Sequence, residues 1–137
     1  MKAGFFLLFV LLGANLLAQN NQTNADSTSM QDTPVLTLVE LMPSFKGGEE
    51  AMYKWLSEYI NYPQAAKETG ITGMVIITFI VEKNGSITNA KILKGIGGGC
   101  EEEALRVIRA MPKWNPGKQK GVPVRVQFTL PVKFTLD

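Results

Sequence analysis

The sequence predicts an α+β fold in which a three-stranded antiparallel sheet of order 2-1-3 packs with two to three helices. Residues 122–136 indicate the last strand, because every even position is apolar and every odd position is polar or proline. Residues 74–81 are apolar on both faces apart from Thr78, which is typical of a central strand. Residues 49–60 repeat apolar side chains at the spacing of a helix.

The N-terminal part of the chain is expected to lie outside this fold. Residues 1–18 combine one lysine, an apolar run and a small-residue end, which is the layout of a secretory signal peptide. The alternative is a short uncleaved anchor at residues 3–18, although the apolar stretch is short for a full membrane span. Residues 19–34 hold almost no apolar side chains and are predicted to be a disordered linker. The folded domain is then residues 35–137, outside the cytoplasm.

The first elements of the domain are marked by glycine, proline and charge. Residues 35–41 are predicted to form a short strand. A helix follows at 49–60, where two glutamates suit the positive end of the helix dipole. A second short helix opens at Pro63 and closes at Gly70.

A hairpin and a third helix come next. The strand at 74–81 is followed by Asn84-Gly85, two residues that tolerate positive φ and predict a hairpin turn. The chain returns as a second strand at 87–94. A glycine loop then leads into a helix that ends at Pro112.

The connections predict the strand order. The hairpin strands 74–81 and 87–94 run in opposite directions, and the following helix carries the chain back before the last strand starts. The last strand is therefore antiparallel to the first and most simply lies on its free side. This gives the order 2-1-3, with the last strand at an edge.

Two prolines in the last strand point to its free edge. Pro123 and Pro131 are both odd-numbered, so their missing backbone donors lie on the same lateral side. Between them Arg125, Gln127 and Thr129 keep their donors, which predicts a partner-binding window on this edge. The alternative is that proline and charge only protect an edge strand against aggregation. Residues 35–41 are a further alternative, because they could lie on this edge and fill it.

Composition excludes several classes of function. The 137 residues include no histidine and one cysteine, so neither a zinc site nor a serine–histidine or cysteine–histidine pair is expected. A net charge of +2 gives no indication of nucleic acid as a partner. We expect no catalytic residues, no cofactor and no metal.

The glycine loop before the third helix lacks the lysine of a phosphate loop and is followed by three glutamates, so a flexible loop is favoured there. Cys100 has no partner for catalysis.

The residues from Tyr62 onward resemble a known family. The stretch "YPQAAKETGITGMVIITFIVEKNGSITNAKILKGIGGGCEEEALRVIRAMPKWNPGKQKGVPVRVQFTLPVKFTL" is similar to the TonB C-terminal domain in the form common among Bacteroidetes-type energy transducers. The resemblance covers about residues 39–136. Its markers are Tyr62-Pro63, Gly73, Asn84-Gly85, Ala104, "MPKWNPG", Gly121 and "LPVKF".

The resemblance implies a periplasmic, non-enzymatic module with two helices against a three-stranded sheet. It also implies docking to the TonB box of outer-membrane receptors by strand addition. Full-length members couple the inner-membrane proton gradient to receptor opening, with ExbB and ExbD as partners. A second copy of the chain is a further candidate partner.

One feature departs from full-length transducers. Here the spacer is 16 residues long, which reaches at most ~50 Å when extended. An accessory protein, or an envelope-assembly protein that uses the same fold without force transmission, therefore stays open as an alternative.

Overall fold

The sheet is built around a strand that is shielded on both faces. The computed structural model describes residues 33–136. In it β2 (Gly73–Val81) lies between β3 (Ile87–Lys94) and β5 (Val122–Phe134) and runs antiparallel to both. Alternate residues of β2 pack into the core, and Thr78 on the opposite face is also buried. This burial explains why the strand is apolar on both faces.

Two short strands enlarge the sheet. β1 (Val35–Leu36) pairs in parallel with β5, and β4 (Gly117–Gln119) pairs antiparallel with the start of β5. The described part of the chain therefore has five strands in a mixed sheet, and the prediction of three wholly antiparallel strands is wrong. Strands of two and three residues are too short to show a periodic pattern in the sequence.

Three helices cover the sheet, as the sequence predicts. α1 (Glu49–Tyr59) is followed closely by α2 (Gln64–Thr69), which ends at Gly70 in the left-handed conformation. α3 (Cys100–Arg109) packs against β2 and β3 and buries Ala104, Val107 and Ile108. Burial of the apolar side of α3 is the main reason for a stable helix of this length.

An aromatic cluster fills the end of the core beside β5. Trp114 is only 2% exposed and packs in the core after the third helix. Its ring centroid lies 5.9 Å from that of Phe45, 5.4 Å from that of Phe79 and 5.2 Å from that of Phe128. All three contacts are edge-to-face, the arrangement that aromatic quadrupoles favour.

The turn between β2 and β3 brings Trp114 and the hairpin together. The hairpin turn predicted at Asn84-Gly85 lies in the loop of residues 82–86 between β2 and β3. Gly85 has a φ of 88°, whereas Asn84 is not in the left-handed region. The Trp114 N–H donates to the Gly85 carbonyl over 2.8 Å. A Cβ on Gly85 would lie 2.1 Å from the Trp114 carbonyl oxygen, so this position requires glycine.

The residues Val35–Asp137 form one unit of the chain. The predicted signal peptide at 1–18 and most of the predicted linker at 19–34 lie outside the described residues. These boundaries stay predictions.

Candidate functional site

The two long outer strands of the sheet differ in regularity. The ladder between β2 and β3 has two register shifts, at Ile76–Ile77 and at Thr78–Ile80. Asn89 of β3 also has a positive φ of 51°. Irregularities of this kind bend an edge strand and discourage further pairing. The ladder between β2 and β5 runs through nine residue pairs without a shift, so β5 is the more regularly paired strand.

Pro131 identifies the backbone groups of β5 that point away from β2. Opposed residues in an antiparallel ladder alternate between hydrogen-bonded and non-hydrogen-bonded pairs. Pro131 lies opposite Ile76 and has no N–H, so this pair belongs to the non-hydrogen-bonded class. Gln127 and Thr129 belong to the same class, because they precede Pro131 by even numbers of residues in an unbroken ladder. Their N–H groups therefore point to the outer side of β5.

β1 covers the beginning of that outer side. Val35 lies opposite Arg125 and Leu36 lies opposite Val126, in parallel pairing. The expectation of an open window that starts at Arg125 is therefore corrected, because the chain itself occupies the edge at this residue. Residues 35–41 are the segment that the sequence indicates could fill this edge. A strand of two residues shows no pattern from which its register could be predicted.

Gln127 and Thr129 lie beyond the end of β1. Both side chains are exposed, and the residues face Ile80 and Thr78 across the ladder with β2. Within residues 33–136, no strand pairs with the outer side of β5 at these two positions. The structure thus places the three predicted site residues along one edge but leaves only two of them accessible for a new strand.

Arg125 is engaged through its side chain as well as its backbone. Its Nε donates to Glu82 Oε1 over 2.7 Å and its Nη2 donates to Glu82 Oε2 over 3.3 Å. The hydrogen bond from Arg125 is the main cause that lowers the pKa of Glu82. This paired arrangement ties β5 to the turn after β2. The sequence does not reveal Glu82 as the partner, since 43 residues separate the two and only the register of β2 against β5 brings them together.

The glycine loop before α3 is closed by the chain's own carboxylate. Glu101 Oε2 accepts hydrogen bonds from the backbone N–H groups of Ile96 and, over 2.7 Å, of Gly97. These contacts, with the one from Gly97 the largest, lower the pKa of Glu101. Two amides that could have held a phosphate are therefore already satisfied. Cys100 beside them is fully buried, and burial raises the pKa of its thiol.

Two further features are absent from residues 33–136. No group of three or more acidic, cysteine or histidine side chains in this part of the chain is arranged to hold a metal ion. None of the helices described here has the length and apolar character needed to cross a membrane. The predicted segment 1–18 is not among these residues.

Comparison with known proteins identifies the family. The sequence pattern described as "Gram-negative bacterial TonB protein C-terminal" matches residues 58–136, which is more than half of the chain. No curated protein matches this chain.

Among the solved structures similar to this chain are two NMR solution structures of the Helicobacter pylori TonB C-terminal domain. The first is 23% identical, with a TM-score of 0.50 over 63% of this chain and 90% of the other. The second is 25% identical, with a TM-score of 0.48 over 61% of this chain and 76% of the other. The first likeness concerns the fold alone. On the match over residues 58–136, this chain belongs to the family of Gram-negative bacterial TonB protein C-terminal domains.

Proposed function

We propose that this chain is a periplasmic TonB-like protein-binding module. It docks the TonB box of outer-membrane receptors by β-strand addition, in energy-coupled transmembrane transport. The observation that carries the proposal is the outer side of β5 at Gln127 and Thr129, where an unbulged strand continues beyond the end of β1. Membership of the TonB C-terminal family supports the same function.

The backbone of β5 supplies the docking groups. The outward N–H groups of Gln127 and Thr129 donate to the incoming strand, and the carbonyl groups of the same residues accept from it. Arg125 is a positioning residue, because its pairing with Glu82 and β1 fixes the start of the open edge. Each backbone hydrogen bond contributes a net of about 0.5 to 1.5 kcal/mol, so a few of them give reversible rather than permanent binding.

A proline substitution tests this use of the edge. Gln127→Pro removes an outward donor and leaves the hydrogen-bonded pairs with β2 in place. Because the partner carbonyl of the docked strand is left unpaired, at a cost of about 1 to 3 kcal/mol, binding of a synthetic TonB-box peptide should weaken about tenfold. Gln127→Ala keeps the donor and should change the dissociation constant less than twofold. Isothermal titration calorimetry measures both.

Two controls make the result interpretable. Thr135→Pro places the same residue type just after the end of β5 and should bind like the unchanged chain. Circular dichroism and urea unfolding establish that each variant is folded. Equal binding by folded Gln127→Pro and Gln127→Ala would contradict strand addition at this position.

Residues 1–18 supply export in this proposal, either as a cleaved signal peptide or as a tether of residues 3–18 to the inner membrane. An ExbB/ExbD-type inner-membrane complex is the corresponding energy source, and a second copy of the chain is a further partner to be tested. Pulldown from envelope extract with the full chain as bait distinguishes receptors from these partners.

The length of the spacer favours a second candidate function. With 16 residues between the N-terminal segment and the domain, or ~50 Å at full extension, an anchored copy has little reach towards the outer membrane. An accessory or envelope-assembly protein would use the same edge without transmitting force. Receptor binding that persists in cells lacking ExbB/ExbD, together with no effect of this chain on transport, would favour this second function.

A further inference from the structure

Two pockets lie between α1 and the open part of β5. The first has a volume of about 140 Å³ and is lined by Phe45, Met52, Trp114 and Phe128, among others. The second has a volume of about 190 Å³ and is lined by Tyr53, Leu56, Ser57, Ile60, Val132 and Lys133. Both pockets adjoin β5 beyond the two residues that β1 covers.

The spacing of the pockets matches the repeat of a β-strand. Phe128 of the first pocket and Val132 of the second lie four residues apart on the same face of β5. Four residues of extended chain span ~13 Å. A strand that pairs with the outer side of β5 would place the side chains opposite Phe128 and Val132 on that same face. These two side chains would also be four residues apart.

The pocket sizes fit one side chain each. A cavity of ~150 Å³ with apolar walls holds a benzene molecule, and the two pockets here have volumes of about 140 Å³ and 190 Å³. Their walls are mainly aromatic and aliphatic. One large apolar side chain is therefore the natural occupant of each pocket.

The rims of the pockets carry opposite charges. Glu49, the first residue of α1, lines the first pocket. Lys133 lines the second pocket. A peptide with a basic residue near the first pocket and an acidic residue near the second would complement both rims.

We propose that the two pockets select the sequence of the strand that docks on β5. The occupant is an extended peptide with large apolar side chains at positions i and i+4, flanked by a basic residue on the Phe128 side and an acidic residue on the Val132 side. This inference rests on the proposed strand addition and adds its side-chain specificity. The backbone of β5 then binds the backbone of the strand, while residues of α1 contact its side chains and select them.

Paired peptides test the spacing. A fluorescein-labelled ten-residue peptide of alternating threonine and serine carries two leucines at i and i+4, and a second peptide carries them at i and i+3, on opposite faces. Burial of one leucine instead of two changes the affinity by about tenfold, equivalent to about 1.4 kcal/mol. We therefore expect fluorescence anisotropy with the full chain to show about tenfold tighter binding of the first peptide.

Variants of the chain test the pockets themselves. Ser57→Phe fills the second pocket from α1 and should remove the tenfold preference. Glu58→Phe adds the same ring at the neighbouring exposed residue, which does not line the pocket, and should keep the preference. The double swap Glu49→Lys with Lys133→Glu should reverse the preferred order of basic and acidic flanking residues.

The outcomes separate this inference from the proposed function. Equal affinity for both peptides, together with amide protection of Gln127 and Thr129 on binding, would overturn pocket selection and leave strand addition intact. Absence of that protection with these peptides and with a TonB-box peptide would overturn the proposed function. Sedimentation equilibrium addresses a second copy as occupant: a dimer that Ser57→Phe breaks and Glu58→Phe keeps would overturn the peptide assignment.

Discussion

At the scale of single residues, backbone conformation at one turn leaves room for a more stable sequence. Lys120 and Gly121 join β4 to β5 with φ values of 53° and 77°. Two consecutive positive φ values define the hairpin turn that favours Asn-Gly, and lysine is strained in this conformation. The Lys120 N–H donates to Glu40 Oε1 over 2.6 Å, so its backbone position is anchored.

Lys120→Asn should therefore stabilise the fold by about 0.5 to 1 kcal/mol. The hydrogen bond to Glu40 uses the backbone and survives the change. Urea unfolding measures the effect as a higher midpoint at an unchanged slope. Lys118→Asn on the neighbouring strand serves as the control and should give no gain. A lower midpoint for Lys120→Asn would show that the lysine side chain contributes more than the strain costs.

Thr78 offers a second test of a single side chain. It is 6% exposed, and its Oγ1 atom has no hydrogen-bond partner among the described residues. Because a buried unpaired hydroxyl costs about 1 to 3 kcal/mol, the near-isosteric Thr78→Val should raise the free energy of unfolding by about 1 kcal/mol. Thr129→Val, at the exposed residue opposite, should change it little. Thermal unfolding of both variants decides the matter, and a loss of stability in Thr78→Val would reveal a partner for the hydroxyl.

At the scale of elements, one ion pair holds the start of β5 against the turn after β2. Arg125 and Glu82 lie 2.7 Å apart, with side chains 13% and 21% exposed, so solvent screens the pair only partly. The Thr88 hydroxyl donates to the same carboxylate, which adds β3 to the arrangement. The pair thus joins three strands at the end of the sheet where β1 also docks.

The pH dependence of stability should reveal this pair. The hydrogen bond from Arg125 lowers the pKa of Glu82 in the folded state, whereas an unfolded glutamate has a pKa of about 4.3. The stabilisation is therefore present above about pH 4.3 and is lost as pH falls through the folded pKa. Glu82→Gln should remove this part of the acid dependence in urea unfolding between pH 6 and pH 3. If Glu82→Gln and the unchanged chain lose the same free energy of unfolding between pH 6 and pH 3, other carboxylates, such as Glu101, account for the acid dependence.

The long elements could be predicted from the sequence, and the short ones could not. The alternation in residues 122–136 and the apolar run at 74–81 each span several periods, so their faces follow from pattern alone. β1 and β4 contain two and three residues and are held by pairing with β5 rather than by their own pattern. Their positions depend on register, which only the assembled sheet determines.

At the scale of the whole molecule, the candidate site combines a predictable and an unpredictable part. The prolines of β5 indicate which lateral side of the strand is not hydrogen-bonded to β2. The ladder with β2 places the backbone N–H groups of Gln127 and Thr129 on that side. The pairing of Arg125 with Val35 and the pockets beside α1 depend on contacts between residues far apart in the chain. No local pattern in the sequence specifies such contacts.

The N-terminal segment predicts where the whole molecule acts. Its lysine, apolar run and Ala18-Gln19 boundary predict that the mature chain begins at or near Gln19. Mass spectrometry of the protein purified from its native envelope measures the mass of the intact chain. A mass that includes Met1, found in the membrane fraction, would show that the segment is retained as an anchor.

The most direct test of strand addition is amide hydrogen exchange of β5 with and without a TonB-box peptide. In the free protein, the amide of Arg125 should be protected by β1, whereas the outward amides of Gln127 and Thr129 should exchange fast. Phe128 and Leu130, whose amides face β2, should be protected in both states and serve as internal controls. Binding of the peptide should protect Gln127 and Thr129 without changing these controls. Protection of Gln127 and Thr129 already in the free protein, or fast exchange at both with the peptide bound, would contradict the account.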